Sequence, residues 1–224
     1  MPSEGPLRDG REAGFHLIET MRFEPGTGIV RRSLHLARLE DSARTLGFVF
    51  DRREIERDLA RLEGELQALR VRLSLQPDGG GAIETQAFTP LAAGAVWTVV
   101  IAATRLGSND PLLRHKTSRR SLYESARREF APAEADEVIL TNERGEICEG
   151  TITTVFARID DGPLATPPLA SGLLAGVLRA EMLAAGKARE TVLHRADLER
   201  AQEIFVGNSL RGLIPARLRR ETGA

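Results

Sequence analysis

Stretches with a two-residue hydrophobic period are mixed irregularly with stretches of helical period along this chain, which narrows the folds open to it. Val71-Arg72-Leu73-Ser74-Leu75 alternates apolar and polar residues as a half-buried strand does. Pro77-Asp78-Gly79-Gly80-Gly81 then turns the chain into another strand near Ile83 to Phe88. Upstream, Gly14 to Phe23 reads as a strand with a turn at Pro25-Gly26-Thr27-Gly28. Leu36, Leu39 and Ala43 predict a helix over 34–46, and Ile55, Leu59, Leu62 and Leu66 predict a second over 52–68. Val96 to Ala103 is apolar enough for a core strand. Further on, Ser121 and Glu124 have capping-box spacing for a helix with Leu122, Ala126 and Phe130 on one face. Strands are expected over 137–141, 151–157 and 203–206, and a helix over 177–185 stopping at Gly186. No regular βαβ alternation emerges. The pattern predicts an α+β protein with antiparallel hairpins, richer in strands in its second half. The Leu106-Gly107-Ser108-Asn109-Asp110-Pro111 stretch reads as a crossing between two lobes, a small α/β lobe over 1–106 and a larger strand-rich lobe over 107–224.

Composition removes several kinds of chemistry. The 224 residues carry a formal charge of −1, which lacks the long-range field that gathers nucleic acid or an acidic membrane. No apolar run reaches the ~20 residues of a membrane helix. The polar Met1 to Arg11 stretch has no hydrophobic signal-peptide segment, so a cytoplasmic location is expected. The lone Cys148 excludes an internal disulfide and a multi-cysteine metal site, and the four histidines lack paired ligand spacing, so no metal is expected. Of 31 lysine and arginine residues only Lys116 and Lys187 are lysines. Arginine stays protonated, so amine chemistry on a side chain has two candidates.

Lys187 follows the helix-ending Gly186 and reads as a solvated charge. Lys116 lies in Arg114-His115-Lys116-Thr117-Ser118-Arg119-Arg120, where neighbouring cations favour a neutral amine; the same stretch also reads as a basic surface loop. Glu149 shares a strand face with Ile147, so it is either an inward carboxylate needing a cationic partner or a strand-end residue in water. Gly176, Val177 and Leu178 open a helix whose free amides suit an anion, as do the amides and hydroxyl of Gly207-Asn208-Ser209. Both also read as ordinary turns. Arg38, on the 34–46 helix, is a candidate cation for such an anion or a plain surface arginine. An amine, a carboxylate and an anion site together match what pyridoxal 5′-phosphate requires.

The His35-x-x-Arg38-Leu39-x-x-Ser42 helix, Lys116, Asp136-Glu137-Val138 leading to Glu149-Gly150, Thr166-Pro167-Pro168 before Gly176, and Phe205 to Ser209 carry a family resemblance. The chain resembles the class IV, fold-type IV, pyridoxal-phosphate aminotransferases from about Phe15 to Arg217. Within that family it is most similar to the aminodeoxychorismate lyases, especially the form fused behind para-aminobenzoate synthase component I. His115-Lys116-Thr117, Glu149 to Thr153 and Gly207 to Leu213 carry the closer likeness.

The resemblance implies a small N-terminal lobe and a larger C-terminal lobe with an antiparallel or mixed sheet, the latter carrying Lys116 and most of the cofactor site. It implies that Lys116 holds the cofactor as an imine and moves protons, and that Glu149 pairs with the pyridine nitrogen. Arg38, the amides of Val177 and Leu178 beside Gly176, Asn208 and Ser209 are implied at the phosphate. It further implies a homodimer, an association with para-aminobenzoate synthase, and conversion of 4-amino-4-deoxychorismate to 4-aminobenzoate, a folate precursor, and pyruvate. A transaminase for D- or branched-chain amino acids, and a non-catalytic cofactor-binding lobe, remain as alternatives. Arg22 and Arg211 are the candidates for two substrate carboxylates. Three departures stand out: Thr154 where the family usually has asparagine, no asparagine within Ser118-Arg119-Arg120, and a start close to the first strand without the usual N-terminal hairpin.

Overall fold

The computed structural model describes residues 14–219, so the polar Met1 to Arg11 stretch lies outside the described residues. Two compact units result: one extends to Pro90 and takes in His115–Arg119, and the other holds Leu91–Arg114 and continues from Arg120. The boundary therefore differs from the expected 106/107 crossing, and Lys116 goes with the first unit. Backbone pairing explains this: residues around Thr117 pair with the start of the first strand, whereas the strand before residue 106 belongs wholly to the second unit's sheet.

The first unit contains β1 (Leu17–Glu24), β2 (Gly28–Ile29), α1 (Arg32–Leu46), α2 (Arg52–Ala60), β3 (Leu69–Leu75) and β4 (Gly81–Ala87). Its sheet has the order β2-β1-β3-β4, antiparallel throughout. Leu69, Val71, Leu73 and Leu75 are buried while Arg70, Arg72 and Ser74 are half-buried, the alternation expected of a strand with one core face. Asp51 caps α2 by accepting from the amides of Arg53 at 2.9 Å and Glu54 at 3.2 Å. The helix ends at Ala60, short of the 68 that the leucine spacing predicts, and Leu66 is 94% exposed. Gly64 lies in the missing half, where its backbone entropy opposes helix, and Leu62 but not Leu66 is buried.

The second unit contains β5 (Trp97–Leu106), α3 (Ser121–Arg128), β6 (Glu137–Asn142), β7 (Ile147–Gly150), β8 (Thr154–Arg158), β9 (Leu164–Thr166), α4 (Val177–Ala184), β10 (Ala188–Glu190), α5 (Arg195–Arg200), β11 (Glu203–Asn208) and β12 (Gly212–Leu218). Its eight-stranded sheet runs β10-β9-β8-β11-β12-β5-β6-β7 and is mixed: β5 is parallel to β6 and β12, and β9 to β10. Apolar residues cover both faces of the central strands. Val99, Ile139, Ile147, Val155 and Val206 form one core, and Val100, Val138, Leu140, Cys148 and Ala126 another. No helix among the described residues is long and apolar enough to cross a membrane.

Two expectations change here. The capping box does not form: Arg120 occupies the cap position without a side-chain bond, and Ser121 is already helical. Tyr123, Ala126 and Phe130 pack against the core, while Leu122 faces outward. The strand expected from residue 151 begins at Thr154, because residues 151–153 are bent around the buried Glu137 carboxylate.

Candidate active site

Within the first unit, register fixes the face on which Lys116 lies. The Ile18 amide donates to the Lys116 carbonyl at 2.8 Å, the Ser118 amide to the His16 carbonyl at 2.9 Å, and Leu17 opposes Thr117. Opposed residues share a face and successive ones alternate. His115 Nδ1 lies 2.9 Å from Ser42 Oγ on α1, and Thr117 is buried, so these two face the helices. Lys116, opposite Ile18, falls on the face of the sheet away from α1. Thr20 and Arg22 share that face, and the pairings Thr20 with Arg72 and Arg22 with Arg70 add two more arginines to it. Arg22 lies 5.8 Å from the Phe88 ring centre and its Nε 3.0 Å from the Glu24 carboxylate, a contact not aligned as a hydrogen bond. Arg70 donates to Gln86 at 3.1 Å, and Glu84 opposes Arg72. Lys187, by contrast, is exposed after α4.

Arg38 lies on the helix side of the same sheet. Its Nε and terminal nitrogen donate to the two Glu19 oxygens at 2.8 and 2.6 Å, the bidentate pairing that fixes a guanidinium in orientation. His35 Nδ1 is 2.6 Å from Glu19 Oε2. Burial alone would raise the Glu19 carboxyl, but the Arg38 charge and the hydrogen bonds from His35 and Arg38 outweigh it and hold it at about 2, against an ordinary 4.5. A carboxyl depressed on folding stabilises the protein above its unfolded value and loses that contribution as pH falls through the folded value. On the order of 3 kcal/mol is therefore expected to disappear between about pH 4.5 and pH 2. Urea unfolding across that window measures it, and Glu19→Gln should flatten this part of the profile.

The second unit gathers the remaining candidates. Glu149 on β7 is buried, and its Oε1 accepts from Tyr123 Oη at 2.7 Å and the Leu174 amide at 3.2 Å. Leu174 leads directly into α4, whose cap is Gly176 and whose first residues are Val177 and Leu178. First-turn amides have no partner inside the helix. A side chain on Gly176 would come within 2.7 Å of Thr154 Oγ1, and one on Gly207 within 2.8 Å of Leu178, so two glycines let β8, β11 and the α4 N-terminus meet. Asn208 donates to the Ile152 carbonyl at 3.1 Å and accepts from the Arg211 amide at 3.0 Å, shaping the turn that carries the buried Ser209. Thr154, at the position of the family's asparagine, sits in this convergence and opposes Gly207 across the β8–β11 pair.

Two residues went unrecognised as site components in the sequence. Glu137 is 1% exposed, and its carboxylate accepts from the amides of Val138 at 2.8 Å, Thr151 at 3.1 Å and Ile152 at 3.1 Å, and from the hydroxyls of Thr151 and Thr153 at 2.6 and 2.8 Å. It ties down the loop between Glu149 and Thr154. The available signal was a glutamate heading the apolar run Val138-Ile139-Leu140 with three threonines some fifteen residues later. Tyr123 is the other; as the chain's only tyrosine inside a helical stretch, it carried little signal of its own.

A model of the class IV aminotransferases matches residues 16–218. The chain belongs to that family. Its fold is fold-type IV and its cofactor is pyridoxal 5′-phosphate, as for the family. The residues present fit that group: the glycine-lined approach to the α4 amides suits a phosphate, and the buried carboxylate of Glu149 suits a protonated ring nitrogen. Among solved structures, a Mesorhizobium loti protein provisionally named an amino-acid aminotransferase is 55% identical, with a TM-score of 0.89 over 92% of this chain and 100% of that one. A protein of Schizosaccharomyces pombe, provisionally named aminodeoxychorismate lyase, is 27% identical over 184 residues, 79% of each chain. A Thermotoga maritima protein, provisionally named branched-chain-amino-acid aminotransferase, is 32% identical over 162 residues, 67% of this chain and 57% of that protein.

Proposed function

We propose that this pyridoxal-phosphate enzyme is an aminodeoxychorismate lyase, converting 4-amino-4-deoxychorismate to 4-aminobenzoate and pyruvate. One observation carries the reading: Lys116 shares the face of its sheet away from α1 with Arg22, Arg70 and Arg72. Arginines directly opposed across a strand pair repel each other, and a substrate with two carboxylates relieves that repulsion. A branched-chain side chain would want an apolar face instead. The 79% overlap with the S. pombe relative points the same way.

The cofactor, when bound, supplies the electron sink for a carbanion at the amine-bearing carbon. The chain's residues do the rest. Lys116 Nζ would hold the cofactor and, with substrate in place, would take the proton from the amine-bearing carbon. Glu149 keeps a proton on the ring nitrogen by remaining a carboxylate. The Val177 and Leu178 amides beside Gly176, with Asn208 and Ser209, hold the phosphate, whereas the Arg38 expected there is bound bidentately to Glu19 on the face opposite Lys116. Arg22 and Arg211 hold the substrate carboxylates. Lys116 returns that proton to the departing enolpyruvyl group, which leaves as pyruvate, and the ring that remains is aromatic, which makes the step irreversible.

A transaminase is the second reading, favoured by the 55% identity to the M. loti protein. One assay separates them. The lyase makes pyruvate and 4-aminobenzoate from 4-amino-4-deoxychorismate with no keto acid added. Turnover only when an amino donor and a keto acid are both supplied would overturn the lyase reading in favour of the transaminase.

A further inference from the structure

Tyr123 lies seven residues past Lys116 on α3, and no role in the chemistry above falls to it. Its hydroxyl nevertheless ends on Glu149 Oε1 at 2.7 Å, joined there by the Leu174 amide at 3.2 Å. The tyrosine ring is itself held. The Arg120 guanidinium carbon lies 4.9 Å from its centre, and Arg120 donates to the Thr151 carbonyl at 2.5 Å, on the loop that follows Glu149. The phenol is thus clamped between the carboxylate and an arginine anchored to the carboxylate's own loop.

We infer that Tyr123 is a positioning residue for Glu149, which fixes the plane of its carboxylate and keeps it a weak base toward the cofactor's ring nitrogen. This rests on the reading of Glu149 as the partner of that nitrogen. The physical reason is the competition for one proton. A carboxylate that accepts strong hydrogen bonds spreads its charge onto the donors and binds a proton less tightly. The proton shared with the pyridine then stays on nitrogen, where it makes the ring an effective electron sink. Tyr123 must remain a donor for this, and it does: burial first, and the adjacent Glu149 carboxylate second, push its hydroxyl far above the usual tyrosine range. Arg120 works in the opposite sense on the phenol but does not overcome them.

The test uses the holoenzyme loaded with cofactor labelled with 15N at the ring nitrogen, at one fixed pH. Tyr123→Phe removes the hydroxyl with little change of shape. Its ring-nitrogen resonance should move downfield, toward the unprotonated position. Its kcat should fall about tenfold with KM nearly unchanged, the scale of one charge-assisted hydrogen bond. Incorporating 3-fluorotyrosine at position 123 makes the phenol a stronger donor, and the resonance should move upfield. A purely structural tyrosine would not move the resonance in opposite directions for the two changes. Should Tyr123→Phe fail to fold, the fluorotyrosine protein decides alone, and an unmoved resonance there overturns the inference. Glu149→Gln separates the two levels of the argument. If it shifts the resonance and Tyr123→Phe does not, the role of Tyr123 is wrong and Glu149 stands. If it leaves the resonance in place, the Glu149 assignment falls and takes this inference with it.

Discussion

Lys116→Ala is expected to lose about 10³-fold or more of its turnover and all borohydride-stable attachment of the cofactor, while Lys187→Ala stays within twofold of the parent protein. The contrast follows from chemistry that arginine cannot supply, since only two of the 31 lysine and arginine side chains can become a neutral amine. It also follows from placement. Lys187 is exposed beyond the end of α4, whereas Lys116 is half-buried in a segment anchored on both sides, by His115 against Ser42 and by Thr117 in the core. Removing the Lys116 amine should leave the fold unchanged, because the hydrogen bond that holds the segment to β1 uses the backbone carbonyl of this residue. Reduction with borohydride followed by peptide mass analysis reads attachment, and thermal unfolding checks the fold. Equal behaviour of the two variants would sink the assignment of the amine.

How far the residues alone could lead is clear from these same segments. Period and punctuation located β1, α1, β3 with its turn into β4, and α4 with its Gly186 stop, since each is a local pattern with a local terminator. They failed where a distant partner decides. Residues 115–119 join a sheet whose first strand lies a hundred residues earlier, and nothing nearby in sequence announces that pairing. The extra turns expected of α2 had the right leucine spacing, but there is no surface to bury Leu66. Ser121 and Glu124 matched a capping box by spacing, yet Arg120, drawn toward the Thr151 carbonyl, takes the cap position instead. Glu149 is inward, but not on the face expected: a bulge between Leu140 and Thr141 pairs Ile147 with Thr141 and Glu149 with Leu140, so Glu149 points away from Ile147 and toward Tyr123. Its neighbour Tyr123 was not legible, because a hydrogen bond between a helix and a strand 26 residues apart leaves no periodic trace.

Glu137 shows the same limit, and its removal should strongly destabilise the second unit. Substitution by alanine leaves the amides of buried Val138 and of Ile152 without the carboxylate acceptor they use. Thr151 loses the carboxylate from both its amide and its hydroxyl, and Thr153 loses it from its hydroxyl. Some of these retain a second partner, as the Thr151 amide does in the Val138 carbonyl at 2.9 Å, so the penalties do not simply add. A loss of about 4 kcal/mol is expected for Glu137→Ala. Glu137→Gln should cost less, about 1–2 kcal/mol, for a reason specific to this geometry. Its carbonyl can replace Oε1, which serves two amides, and its NH₂ can replace Oε2, where the Thr153 hydroxyl can turn to accept and only the Ile152 amide is opposed. The two variants should also differ in cofactor binding. The loop that Glu137 holds joins Glu149 to Thr154, and Gly150 within it has no room for a side chain against the Glu137 carboxylate and Thr153. Loosening that loop misplaces both ends, so the cofactor Kd of Glu137→Ala should rise about tenfold or more, with Glu137→Gln between it and the parent. Urea titration and fluorescence-detected cofactor binding measure the two series. A Glu137→Ala protein with parental stability and affinity would mean the carboxylate is a passenger in the core and not the clamp of the loop.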